Sequence, residues 1–193
     1  MVSLIIYHAN CFDGFGAAWI ARKFLKDVEF VPAKYGDTPP DVRDRRVYIV
    51  DFSYPRDILL KMHSDAARLV VLEHHKTAEA NCSGLDFCQF DMNRSGAGLT
   101  WDFFFPYQPR PSLINYIEDR DLWRFVLPAS RQVHAWLSSY PKDFELWNKL
   151  ISEFDLRNAK TEGDTIFRYE KQKVEEMCLE AQVMNLGVDN GIP

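Results

Sequence analysis

The chain has 193 residues, enough for one well-buried core with or without a helical appendage. A hydrophobic fraction of 47% and a charged fraction of 26% are those of an ordinary folded domain and exclude a disordered or collagen-like chain. A net charge of −5 argues against tight binding to long duplex nucleic acid, but leaves room for a small phosphorylated ligand whose counter-charge comes from metal ions.

Taken in chain order, an apolar β-branched run at residues 4–7 predicts a first strand, and residues 14–26 carry Phe15, Ala18, Trp19, Ala21 and Leu25 at helical spacing. Gly14 and Gly16 are expected to let the backbone turn between the two. Strands follow at 28–31 and 47–50, then a helix with Pro55 in its first turn running to Met62, then strands at 69–72 and 87–90. Alternating strands and helices predict a Rossmann-like parallel α/β sheet. From Ser95 onward the strand signal fades, and residues 101–105, 113–117, 144–154 and 165–184 read as helices. The last of these carries paired Lys and Glu and is expected to be a solvated face. The closing MNLGVDNGIP reads as a turn or the approach to another element. The expected division is an α/β catalytic part at 1–125 and a helical extension at 126–193.

No apolar run approaches the roughly 18 residues that span a bilayer, and no basic, apolar leader opens the chain. A cytoplasmic protein without a membrane partner is the expectation. Cys11, Cys82, Cys88 and Cys178 then read as reduced thiols, with no Cys-x-x-Cys pair for structural zinc.

Four clusters place metal-binding side chains, three of them directly after apolar strands: His8 to Asp13, Asp51, Glu73-His74-His75, and Glu118-Asp119-Arg120-Asp121. Carboxylate and imidazole together suit manganese, and also magnesium, iron, cobalt or zinc. Because C-terminal strand ends lie along one edge of such a sheet, three of these clusters converge there. An Asp on the central strand could then bridge two ions. Each cluster alone has a plainer reading: Asp51 as a turn former, the paired histidines as packed side chains, the Asp-Arg-Asp run as an exposed helix end. Their joint occurrence favours the site. His63 and His134 read as packing residues, and so do the tryptophans.

HANCFDGFGAA, VYIVDFSYP, VLEHHKTA and IEDRDLWRF, in that order, resemble the four motifs of the DHH phosphoesterase superfamily, in its oligoribonuclease and cyclic-nucleotide-phosphodiesterase-like branch. The resemblance covers roughly the first two thirds of the chain. It implies two divalent cations, usually manganese, that hydrolyse phosphoesters. It also implies that His8, Asp13, Asp51, His74 and Asp121 are metal ligands, with Asp51 bridging and His75 facing the scissile phosphate. Asp121 fits the fourth motif's spacing to Phe125 better than Asp119 does.

Two positions depart from the pattern. Cys11 stands where the family has an aspartate, and either binds a softer metal or leaves that site to His8, water and substrate. Glu73 replaces the aspartate of the triplet, as a supporting partner for a histidine. The resemblance also implies a C-terminal substrate-binding domain after a linker helix; the expectation is that the helical part at 126–193 corresponds to the linker and that the domain itself is absent.

Asn10 in the first loop and Arg94 and Ser95 after the last strand are candidate substrate contacts; Ser95 reads equally as a helix N-cap. The function expected is two-metal phosphoester hydrolysis of short single-stranded oligonucleotides or small nucleotides. The alternatives are a catalytically weak nucleotide-binding or regulatory module and a pyrophosphatase-like activity. A homo-oligomer would be one way to complete an open site.

Overall fold

The computed structural model describes residues 2–180, and the sequence readings for 181–193 lie outside them. Five strands form one parallel sheet: β1 (Ser3–His8), β2 (Val28–Ala33), β3 (Arg46–Val50), β4 (Arg68–Glu73) and β5 (Cys88–Phe90), in the order β2-β1-β3-β4-β5. The three inner strands are apolar almost throughout because both of their faces are covered. Period-two alternation sorts them: Ile5, Tyr48, Val50, Val70 and Leu72 enter one core layer, while Leu4, Ile6, Val47, Ile49, Leu69 and Val71 enter the other.

The first layer is closed by α1 (Phe12–Phe24), α4 (Gly96–Phe104) and α5 (Ser112–Asp121). The second is closed by α2 (Arg56–Asp65) and the one-turn α3 (Glu79–Cys82). Then come α6 (Ser130–Ser138), α7 (Phe144–Ser152) and the 25-residue α8 (Leu156–Glu180). This is the expected Rossmann-like α/β fold with a mostly helical C-terminal part. Among the described residues no helix is long and apolar enough to cross a membrane.

Three local differences have physical causes. Gly14 and Gly16 lie inside α1 rather than in a turn. A Cβ on Gly14 would come within 2.4 Å of the His8 carbonyl oxygen, so what matters there is the missing side chain. Pro55 precedes α2 instead of entering it. α6, which the sequence reading does not single out, is a short helix supported by packing on α8. There Gly163, a poor helix former, lets the two backbones touch, since a Cβ on it would meet the Gln132 carbonyl oxygen at 2.0 Å.

Trp147 of α7 is fully buried, edge-on to Phe15 at 4.8 Å and stacked over Phe12 at 6.2 Å. Helices on both sides of residue 125 therefore share one core, and α7 braces the first turn of α1. That turn carries Cys11 and Asp13 to the sheet edge.

Candidate metal centre

Register builds the site. Tyr7 pairs with Val50 and Val50 with Leu72 across the inner strands, so the next residues, His8, Asp51 and Glu73, emerge side by side. They do so where strand order reverses between β1 and β3, the crevice in which open α/β sheets bind ligands. Asp51 has left-handed backbone (φ 56°), held by its N–H donating to the Leu72 carbonyl at 2.9 Å. Such a conformation is costly for a residue with a Cβ and is characteristic of functional sites.

Asp51 is fully buried and lies between two groups of donors. On one side its Oδ2 is 3.6 Å from His8 Nδ1, and His8, Asp51 and His75 offer three ligand atoms within 4.8 Å of one another. On the other its Oδ1 is 3.0 Å from His74 Nε2. The same nitrogen lies 3.6 Å from Asp13 Oδ2 and 3.5 Å from Asp121 Oδ2, and Asp13, His74 and Asp121 form a second triad. Behind them Glu73 Oε1 accepts the backbone N–H groups of His74 and His75, each at 2.7 Å, and faces His75 Nδ1 at 2.6 Å. This fixes the His75 ring and the backbone at His74, and leaves His75 Nε2 as the free nitrogen of its ring.

Buried carboxylates crowd one another in this cluster. Burial, then the charges of Asp51 and Asp121, push the Asp13 carboxyl well above its ordinary value, and burial and the charge of Asp51 also raise Asp121. Burial and the charges of Asp51 and Asp13 raise the Cys11 thiol to about 12, which keeps it neutral. For Asp51 burial also acts upward, yet the hydrogen bond with His74 and the nearby imidazoles of His8 and His75 outweigh it and hold the group down at about 2. The Glu73 hydrogen bond, against burial, raises His75 to about 9. Asp51 Oδ2 and His8 Nδ1 are buried and lack hydrogen-bond partners among the described residues. Orphaned buried polar atoms, three mutually repelling carboxylates and a hard oxygen–imidazole donor set all fit divalent cations.

The other sequence candidates fall in different places. Asp119 turns away from the cluster: its carboxylate accepts the backbone N–H groups of Val126 and Leu127, at 3.0 and 3.3 Å. Ser95 caps α4, accepting from Gly98 N at 3.1 Å. Arg94 is committed to Asp91 (2.8 Å) and Asp102 (3.0 Å), so its guanidinium braces α4 instead of standing open for phosphate. Asn10, exposed and left-handed (φ 60°), lines a cleft of about 230 Å³ with Cys11, Asp13, Arg120 and Asp121. Asp13 also anchors the N-terminus of α4, accepting from Gly96 N at 2.5 Å and Ala97 N at 3.0 Å.

Two further residues reach this region, His134, read in sequence as a packing residue, and Tyr35, which the sequence reading does not single out. His134 lines the same cleft, and burial lowers it to about 4. Tyr35, half exposed, has its ring 5.7 Å from His8. Nothing in the residues around either one marks it, because tertiary packing alone brings them here. A larger hollow of about 530 Å³, between Pro39 and Lys61, has no imidazole or thiol in its lining and lies apart from this cluster.

No protein-family model matches the chain. It is 29% identical to the uncharacterized protein R106 of Acanthamoeba polyphaga mimivirus, across 88% of this chain and 45% of that protein. The chain thus spans less than half the length of this curated relative. Among solved structures it resembles an uncharacterized protein from Helicobacter pylori G27, with a TM-score of 0.64 and 13% identity over 87% of this chain and 62% of that one. The likeness to the Helicobacter protein is one of fold.

Proposed function

We propose that the chain is a divalent-metal-dependent phosphoesterase of the DHH type, acting on short oligonucleotides or small nucleotides. The observation that carries the reading is Asp51, buried between two imidazole-containing groups of donors with one oxygen unpartnered among the described residues. His8 and Asp51 would hold one cation; Asp13, Asp51, His74 and Asp121 the other. When bound, such a pair orients an attacking oxygen and neutralises charge on a phosphoryl group. Glu73 orients His74 and His75, the role expected of a carboxylate behind a metal-bound histidine. His75 Nε2 is free to hydrogen-bond a phosphoryl oxygen. A cytoplasmic setting, where thiols stay reduced, accords with Cys11, Cys82, Cys88 and Cys178 all being free.

A second reading, a catalytically weak nucleotide-binding module, is favoured by the neutral thiol of Cys11 at a ligand position and by the hydrogen bonds that tie both Asp13 oxygens to α4. The purified chain with manganese is expected to hydrolyse a dinucleotide, 3′-phosphoadenosine 5′-phosphate or bis-p-nitrophenyl phosphate, and Asp51→Asn to abolish turnover. Nucleotide binding without turnover in manganese, magnesium, cobalt or zinc would leave the module reading in its place.

A further inference from the structure

Between α5 and α6 the chain makes an unusual loop beside the metal centre. Trp123, Phe125 and Ala129 all have left-handed backbone, at φ 55°, 51° and 56°. Three such residues within seven persist only where the surroundings over-determine them. Here Asp119, 4% exposed, does so with four acceptor contacts: its carbonyl oxygen takes Arg124 N and Phe125 N, and its carboxylate takes Val126 N and Leu127 N.

What the loop presents is a ladder of alternating cations and rings. The Arg131 guanidinium lies 3.8 Å from the Phe125 ring centre, and that of Arg120 lies 5.8 Å from Phe125 and 4.4 Å from Trp123. Whereas Arg110 and Arg124 are drawn to Glu118, these two rest on aromatic rings, an arrangement that leaves guanidinium N–H groups to point at an anion. The ladder ends in an indole that is 64% exposed. These groups, with Glu170 on the facing wall, line a cleft of about 310 Å³. Arg120 and His134 also line the cleft of the metal centre, so the two hollows adjoin.

We propose that this loop is the subsite for one nucleotide unit of the substrate, with its base stacked on Trp123 and its non-scissile phosphate between Arg120 and Arg131. The inference rests on the phosphoesterase reading of the adjoining centre and adds the place where a nucleotide unit is held and the residues that recognise it. A flat, exposed aromatic face calls for a planar partner, and two guanidiniums call for an anion; a nucleotide joins both in one ligand. The volume is at the lower end of the about 300–1,000 Å³ typical of ligand pockets, which fits one such unit and not a long strand. Asp119 is a positioning residue that holds the platform in place.

Binding tests this without turnover. Titrated calorimetrically into the full chain with manganese, adenosine 5′-monophosphate is expected to bind at least about tenfold more tightly than ribose 5-phosphate, the usual effect of stacking one base. Trp123→Ala and Trp123→Leu are expected to bring that ratio close to one, and Trp123→Phe to keep most of it. Arg131→Ala should weaken both ligands. Equal binding of the two ligands to the native chain, or a ratio unchanged in Trp123→Ala or Trp123→Leu, would overturn the proposal. An absence of hydrolysis with the ratio intact would remove only the catalytic reading, whereas hydrolysis without a base preference would remove only the subsite.

Discussion

Asp51 shows how much one position can be asked to do. Its backbone is left-handed, its carboxylate is buried, and one oxygen has no partner among the described residues. The space for it is made by Gly96, where a Cβ would fall 2.3 Å from Asp51 Cβ and 2.6 Å from its Oδ1. Those atoms belong to a short, packed side chain with nowhere to retreat. Gly96→Ala is therefore expected to displace the carboxylate and weaken manganese binding by about 10–100-fold, the usual effect of disturbing a group that supports a ligand. Native manganese affinity in that variant, measured by calorimetry, would show that Asp51 is not a ligand. The residue types that make the site were visible in the sequence, because histidines and carboxylates directly after apolar runs are rare in combination. The glycine that makes room for them was not, since its neighbour in space is 45 positions away.

Among the elements, α4 is held at its N-terminus from several directions. Asp13 and the Ser95 hydroxyl take its first N–H groups, and a chain of charges runs from Asp91 through Arg94, Asp102 and Arg110 to Glu118 on α5. Burial would raise Asp102, but hydrogen bonds from Arg110 and Arg94 outweigh it and leave the carboxyl below its ordinary value. A carboxylate lowered by folding stabilises the fold above its unfolded value of about 3.9, and that contribution is lost as pH falls through the lower folded value. Arg94→Ala is expected to cost about 1 kcal/mol of stability at pH 7 and progressively less below about pH 4, with the KM for phosphoester substrates nearly unchanged. Urea unfolding at the two pH values, alongside kinetics, checks this; a KM raised without loss of stability would return Arg94 to the phosphate site that its sequence context suggests.

At the scale of the molecule, the candidate metal centre joins residues at the ends of β1, β3 and β4 and from α1 and α5, so a cation bound there should clamp the whole α/β core. Ligands that bind only the folded state stabilise it by RT ln(1 + [L]/Kd), about 2.7 kcal/mol at a hundredfold excess over Kd. For a chain of this size that is a rise in melting temperature of roughly 5–10 °C. Manganese should produce such a shift in differential scanning fluorimetry and EDTA should reverse it; an unmoved melting curve at saturating metal would count against a centre built into the core.

What the sequence by itself determined is everything carried by local periodicity and by adjacency along the chain. The five strand positions, the parallel α/β class and the clustering of His8, Asp13, Asp51, His74, His75 and Asp121 at helix or strand ends follow from apolar runs and the residues that immediately succeed them. Tertiary structure alone decided the rest. It separated Asp121, which faces His74, from Asp119, two residues away, which ties down the next loop. It took Arg94 into a charge network, packed α6 on α8, and brought Tyr35 and His134 to the site. The reason is the same each time: these assignments depend on which way a side chain turns and what lies against it, and both are set by packing between segments that are distant along the chain.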